Sequence, residues 1–349
     1  MILVSSTKSN IRTITLNDGV EIPVLAFGTG CNFFSYIVLS KTSNQCVEGR
    51  STAQAWTDTS PIVTLALQKG YRHFDCAWHY KNGVYTGKAL KESGIPREKI
   101  FITCKIGSFD DDPSEFDTRK FVDAVLKDLQ VEYIDLLVLH ADILVGSITQ
   151  AWKAMEEIKK EGLARSIGLS NFSTKSLEEI LSICEIKPSI NQIEFHPYSL
   201  STYLPTLLPL CDKYDIKIAA YGSLMSLVRH RGGPVDEVVE HICHERGMKE
   251  TGGQVLLRWA QQITEGIVIT TTNKPDRMVE QILPFLEVIS DNRLSQKHLD
   301  EISAAGAERP FRFWGTNWPY FMQGEGGIQA CPEDATHRNK PGINGGRGW

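Results

Sequence analysis

The 349 residues read as an α/β chain folded into a (β/α)8 TIM barrel. Three observations predict it. Short apolar runs alternate with amphipathic stretches, the pattern of repeated βα units and a parallel sheet. Eight such runs are present, at 23–28, 71–75, 100–105, 134–139, 165–169, 189–194, 216–221 and 266–270. No Gly-x-Gly-x-x-Gly motif separates a strand from a helix, so a dinucleotide-binding open sheet has no support.

The elements follow in order. Thr13-Ile-Thr-Leu, then Asn17-Asp-Gly19, then Val20-Glu-Ile-Pro23 is a hairpin signal, since an Asx-Gly turn tolerates positive φ and alternating apolar residues flank it. Helical patterns lie between the strands at Phe121-Val-Asp-Ala-Val-Leu-Lys-Asp-Leu129, Leu177-Glu-Glu-Ile-Leu181 and Gln254-Val-Leu-Leu-Arg-Trp259. A last helix spans about 295–305, with Ser295 as its cap. One domain covers 1–349, with a core at about 12–315, an atypical insertion at about 31–53 and a tail at about 316–349 expected to be disordered.

Composition excludes several function classes. A net charge of -5 provides no basic field for nucleic acid or anionic lipid. No apolar run approaches the roughly 20 residues of a membrane helix, and the N-terminal apolar stretch is too short for a signal peptide. The eight cysteines, at 31, 46, 76, 104, 184, 211, 243 and 331, contain no CxxC pair and read as free thiols in a reducing compartment. His241-Ile-Cys-His244 sits in a charged helical context and reads as an incidental surface cluster, so no metal is expected. The expectation is a cytoplasmic monomer acting on a small molecule.

The ends of the strands carry the chemistry. They are Asp75, Lys105, His140, Ser170-Asn171, Gln192, Tyr221 and Thr270-Thr-Thr-Asn273, and in a barrel such ends converge on the face that holds the active site. A buried Lys and Asp demand pairing, and adjacent strands set Asp75 beside Lys105. Tyr80, five residues past Asp75, is expected beside that ammonium, which would lower its pKa below about 10 and make it a proton donor near neutral pH. His140 can donate a hydrogen bond to a substrate carbonyl. An acid and a carbonyl-orienting donor suit reduction if a nicotinamide supplies hydride, because no side chain can. Ser170, Asn171 and Gln192 offer hydrogen bonds for a carboxamide, and Tyr221 a flat face for ring stacking.

Several stretches resemble the aldo-keto reductase family, nearest its fungal xylose-reductase-like and conjugated-polyketone-reductase groups. They are Gly70-Tyr-Arg-His-Phe-Asp75-Cys-Ala-Trp-His-Tyr80-Lys-Asn82, Lys105, Asp135-Leu-Leu-Val-Leu-His140, Ser166-Ile-Gly-Leu-Ser-Asn-Phe172, Asn191-Gln-Ile-Glu-Phe-His-Pro-Tyr198, Ala220-Tyr221 and Thr270-Thr-Thr-Asn-Lys-Pro-Asp-Arg277. The resemblance implies reduction of an aldehyde or ketone, and the reverse oxidation, with NADPH or, less favoured, NADH. It makes Tyr80 the proton donor, tuned by Lys105 and Asp75, with His140 orienting the carbonyl. It gives the carboxamide to Ser170, Asn171 and Gln192, and the nicotinamide stack to Tyr221. Gly222, Ser223 and Leu224 then begin the loop over the pyrophosphate, and Thr270, Thr271 and Thr272 follow on the eighth strand. Arg277 would meet the 2′-phosphate and Glu280 the adenine. Trp78, His79, Ala141 and Asp142 would line the substrate side, closed by a C-terminal loop rich in aromatics from Phe311 to Phe321.

Four departures stand out. Thr271 replaces a common lysine for the 2′-phosphate, so NADPH preference rests on Arg277. Gly83 replaces a glutamate, and Ala141-Asp142 replaces a Trp-Pro, where the aspartate is either a solvated loop residue or a substrate selector. The insertion after Gly28-Thr-Gly30 reads as a translated intron, a mobile loop or a functional lid. Two other functions remain open from sequence: a Schiff-base lyase with Lys105 as nucleophile, and a cofactor-binding member with little turnover.

Overall fold

The computed structural model describes residues 10–30, 58–288 and 293–312. The insertion at 31–53 and the tail beyond 312, including its aromatics from Phe313 onward, lie outside the described residues.

A hairpin comes first. Strands β1 (Thr13–Thr15) and β2 (Glu21–Pro23) pair antiparallel with Ile14 opposite Ile22, turning at Gly19, whose φ is +83°. The barrel strands follow: β3 (Leu25–Gly28), β4 (His73–Ala77), β5 (Phe101–Ile106), β6 (Ile134–Leu139), β7 (Ala164–Ser170), β8 (Ile190–Glu194), β9 (Lys217–Tyr221) and β10 (Ile267–Thr270). All pair parallel in chain order, and β10 closes the ring on β3 with Val268 opposite Leu25. The sequence therefore located every barrel strand to within two or three residues at each end.

The helices around it are α1 (Ser60–Gln68), α2 (Gly83–Glu92), α3 (Thr118–Leu129), α4 (Ile148–Lys160), α5 (Thr174–Leu181), α6 (Leu200–Tyr203) and α7 (Leu207–Lys213). They continue with α8 (Met225–Arg229), α9 (Pro234–Glu245), α10 (Gly252–Thr264), α11 (Pro275–Ile282) and α12 (Gln296–Ala307). Local chemistry starts several of them. The Asp117 carboxylate accepts from Lys120 N at the head of α3, and Ser295 Oγ accepts from His298 N at the head of α12. Thr251 and Gln254 form a reciprocal capping box on α10.

The outward faces of the strands pack on the helices in one large apolar core that includes Phe74, Leu137, Leu139, Trp152 and Trp259. A smaller cluster of Leu16, Ile22, Phe101, Leu136, Val138, Ile190, Ala219 and Ile267 fills the barrel interior beneath the site. The hairpin plugs that lower end. Asn17 Nδ2 donates to the Pro188 carbonyl at 2.8 Å, and Asp18 accepts from Ser166 Oγ at 2.8 Å and pairs with Lys159. With one end plugged, the open end is the C-terminal one, where the polar strand ends project.

Candidate active site

A cavity of about 340 Å³ opens at that C-terminal end. Asp75, His79, Tyr80, Lys105, His140, Ser170, Asn171, Gln192 and Tyr221 all line it, as do Gly222, Ser223, Leu224, Thr270 and Thr271. Residues as far apart in sequence as Asp75 and Thr271 thus meet in one space because parallel strands all present the same end to it.

The centre is an ion pair between neighbouring strands. In the β4–β5 register Asp75 lies opposite Thr103 and Ala77 opposite Lys105, so the long lysine chain reaches back to the carboxylate. Lys105 Nζ donates to Asp75 Oδ1, and both residues are buried. Gln192 Nε2 occupies the other carboxylate oxygen at 2.7 Å. A carboxylate held on both oxygens keeps its lysine charged and fixed. The Lys105 ammonium is accordingly raised above the usual lysine range: burial, the largest single influence, opposes its charge, but Asp75 together with Tyr80 and Cys104 outweighs it.

Tyr80 follows a short helical turn at Trp78–Tyr80, directly beyond β4. Its ring centroid is 5.2 Å from Lys105 Nζ and 5.9 Å from the His140 ring. Gly30 makes room for it, since a Cβ there would come within 2.7 Å of the tyrosine ring. The expected lowering of the Tyr80 pKa is not what the site does. Tyr80 keeps part of its surface open to the cavity, yet the protein packed around it disfavours the phenolate and pushes it up to about 12. Lys105 pulls the other way and is outweighed. The phenol therefore holds its proton at neutral pH.

His140 follows β6 immediately, its backbone N–H bound to the Ile106 carbonyl at 3.0 Å. Burial, then Lys105, holds its imidazole well below the usual histidine range, so it is neutral. A hydrogen bond to the Gly107 backbone holds the ring in place and offsets part of that lowering.

The amide-bearing residues form a network of their own. Asn171, in left-handed conformation with φ +56°, donates from Nδ2 to the His140 carbonyl at 3.1 Å and to Ser170 Oγ at 2.9 Å. Ser170 Oγ donates to the Gln192 carbonyl at 3.0 Å, and Tyr221 OH donates to Asn171 Oδ1 at 2.8 Å. These side chains therefore form a pre-set polar network rather than a group of loose ones. Farther along the wall, Ser223 Oγ and Thr271 Oγ1 are buried and have no partner, with Gly222 beside them at φ +74°. Buried hydroxyls left unpaired are costly unless a ligand satisfies them, and their place on the cavity wall suits phosphate oxygens. The residues present fit a nicotinamide dinucleotide.

Some expected site residues lie elsewhere. Trp78 is absent from the cavity lining: it packs edge-on to Phe121 at 4.9 Å and carries Lys81 Nζ over its ring at 2.8 Å. Ala141 is fully buried in the core. Asp142 is largely buried rather than solvated and does not line the cavity. Its Oδ2 accepts from Ser176 Oγ at 2.7 Å and Ser173 N at 3.3 Å, tying down the start of α5, and burial raises its pKa. Arg277, Glu280 and Thr272 also stay off the lining. Arg277 is half-buried on α11, Glu280 Oε1 accepts from Thr251 Oγ1 at 2.5 Å, and Thr272 Oγ1 accepts from Lys274 N at 3.2 Å. Lining residues that sequence reasoning missed are Gly28, Gly30, Phe109, Met225, Val228, Arg229 and Ile269. Gly28 and Ile269 lie in strands the sequence located, Phe109 follows Lys105 by four residues in the next loop, and Gly30, Met225, Val228 and Arg229 depend on how the segments after β3 and β9 turn.

The family model of the aldo/keto reductases matches residues 47–306. The chain belongs to that family. This aldo/keto reductase is 35% identical over 303 residues to the NAD/NADP-dependent indole-3-acetaldehyde reductase of Schizosaccharomyces pombe, an alignment covering 81% of this chain and 98% of that one. It is 31% identical to the NADPH-dependent alpha-keto amide reductase of Saccharomyces cerevisiae, over 86% of this chain and 93% of the relative. The crystal structure of an aldo/keto reductase from Brucella melitensis superposes with a TM-score of 0.66 at 30% identity, covering 85% of this chain and all of the other.

Proposed function

We propose that this aldo/keto reductase reduces an aldehyde or ketone with NADPH, and less readily with NADH, using Tyr80 as the proton donor. The observation that carries this reading is the meeting, in one cavity, of a protonated tyrosine, a buried Asp75–Lys105 pair and a neutral histidine. When bound, the nicotinamide supplies hydride to the carbonyl carbon.

The chain's own residues account for the rest. His140, neutral, donates a hydrogen bond to the carbonyl oxygen and sets its direction. Tyr80 gives its proton to that oxygen as negative charge grows there, because an alkoxide is a far stronger base than a phenolate. The Lys105 ammonium then offsets the charge left on the phenolate, and Asp75 with Gln192 keeps Lys105 in place. Ser170, Asn171 and Gln192 would hold the carboxamide and Tyr221 would stack on the ring. Gly222, Ser223, Leu224, Thr270 and Thr271 would take the pyrophosphate side. Arg277 would meet the 2′-phosphate, with Thr272 and Glu280 toward the adenosine.

A Schiff-base lyase is disfavoured by the same geometry. Such a lysine needs a neutral amine, whereas Lys105 is paired and held charged. Among the described cysteines Cys76, Cys104, Cys184 and Cys243 are free thiols, which supports a reducing compartment such as the cytosol. No helix among the described residues is long and apolar enough to cross a membrane. NADPH consumption with a panel of aldehydes, α-dicarbonyls and ketones tests the reading. Turnover of at least one class is expected; no turnover of any, or borohydride trapping of Lys105 with a carbonyl substrate, overturns it.

A further inference from the structure

Tyr80 is placed by the chain on both sides of it. Before it, β4 runs straight into the short turn Trp78–Tyr80. After it comes Lys81 in left-handed conformation, with φ +56°, and then Asn82 at the head of α2. That conformation is unfavourable for a residue with a Cβ and persists where the surroundings hold it. The turn that carries the proton donor therefore needs a fastening just beyond Lys81.

Asn82 supplies it. The residue is 4% exposed, and its Nδ2 donates to the Thr29 carbonyl at 2.9 Å. A carbonyl only accepts, so the amide can face it only with its nitrogen. Oδ1, on the other side of the amide, is buried and makes no hydrogen bond. Thr29 is itself pinned to the strand of the ion pair: its backbone N–H and its Oγ1 both donate to the Asp75 carbonyl, at 2.9 Å and 3.1 Å. The next residue, Gly30, lies against the Tyr80 ring, so close that a Cβ there would come within 2.7 Å of it. A closed circuit thus surrounds the phenol, from Asp75 to Thr29, from Thr29 to Asn82, and back along the chain to Tyr80.

We propose that Asn82 is a positioning residue for proton transfer, which through Thr29 fixes the turn bearing Tyr80 at its place beside Lys105 and His140. This rests on the reductase reading above, in which Tyr80 gives the proton. Asn82 does not line the cavity, so it acts through the phenol and makes no contact of its own with a ligand there. Proton transfer depends steeply on the placement of the donor, and a shift of about 1 Å can cost as much as about a hundredfold in rate. Loss of the Asn82 bond should therefore appear in the chemical step and leave cofactor affinity as it was.

The test is N82L, which keeps the bulk of the side chain and loses the donor, made both in the wild-type enzyme and in Y80F. A single turnover of bound NADPH is followed by its fluorescence, with the carbonyl of the panel above that the wild-type enzyme reduces fastest. N82L is expected to slow this step by about tenfold to a hundredfold, with the NADPH dissociation constant unchanged. In Y80F the same substitution should leave the residual rate as it is, because a residue that acts through the phenol has nothing to act on once the hydroxyl is gone. N82D is the second variant should N82L fold poorly. Its carboxylate has the shape of the amide but no proton to donate, so its rate should fall as well. Equal slowing in both backgrounds, or a loss confined to NADPH binding, would assign Asn82 to general support of the fold and overturn the proposal, as would wild-type rates in N82L and N82D. If Y80F alone keeps a near-wild-type rate, the reading of Tyr80 as proton donor fails instead.

Discussion

Two buried aspartates on the barrel strands show how the same residue type serves opposite purposes at the two ends of one fold. Asp135, near the start of β6, accepts from Arg97 at 2.6 Å, Arg165 at 2.8 Å and the backbone N–H of Ile102 at 2.9 Å. Both its oxygens are filled by protein, and it lies off the active-site cavity. Asp75, on β4, is equally buried, but its partners are an ammonium and an amide that themselves face the cavity. At the first end both carboxylate oxygens are filled, although the buried Arg97 Nε beside them has no partner. At the second, satisfaction is left open in Ser223 Oγ and Thr271 Oγ1, on the cavity wall where a ligand can complete it. Burial of a carboxylate therefore does not mark function; unfilled polar atoms belonging to residues of a shared cavity wall do.

The largest effect that would separate the two ends is Tyr80→Phe. Removing the only proton on the ring oxygen should lower kcat by about 10²–10⁴-fold, while the NADPH dissociation constant from fluorescence titration changes little. A variant retaining near-wild-type kcat with chemistry rate-limiting would remove Tyr80 from its role.

Asp135→Ala should do the reverse. It strands two guanidiniums and one backbone N–H, for a loss of about 2–4 kcal/mol, less than for a fully enclosed pair because both arginines reach solvent. Urea unfolding should record that loss while kcat/KM of the folded enzyme is preserved. A selective loss of turnover with normal stability would dissolve the contrast between the ends.

Arg277→Ala probes the far edge of the open end. A charge-assisted bond to the 2′-phosphate is worth about one to two orders of magnitude in NADPH over NADH binding, and with Thr271 nearby in place of a cation the lower figure is expected. Dissociation constants for both cofactors measure it, and an unchanged ratio would move the 2′-phosphate contact to another residue.

A further effect lies between the two ends. His73, on β4 below Asp75, is buried with its ring nitrogens on the Pro23 carbonyl at 3.0 Å and Thr103 Oγ1 at 2.8 Å, and burial lowers its pKa to about 4. The unfolded chain binds this proton from about pH 6.5 downward, whereas the folded one does not until about pH 4. Its contribution to stability is thus complete above about pH 6.5 and drains away as pH falls toward 4, by about 1.4 kcal/mol per pH unit. His140, shifted the same way, adds to the slope. Unfolding free energies at pH 7, 6 and 5 should show this decline, and His73→Gln should flatten it; an equally steep slope in that variant would assign the proton elsewhere.

The barrel was legible because its signals are local. Apolar runs, the Asn17-Asp-Gly19 turn and caps such as Ser295 depend on neighbours within a few residues, and the parallel topology then brings Asp75, Lys105, His140, Gln192 and Tyr221 to one end without further information. Tertiary structure decided what depends on sums over distant neighbours. The sign of the Tyr80 shift reflects how much protein encloses the ring, set against one nearby ammonium, and no spacing in the chain encodes that balance. The loops decided the rest: Trp78 turned onto Phe121, Asp142 onto the start of α5, and Phe109 and Arg229 into the cavity. Strand ends are fixed by a ladder of hydrogen bonds, but a loop's path follows from whatever surface it packs against, which exists only once the barrel has closed.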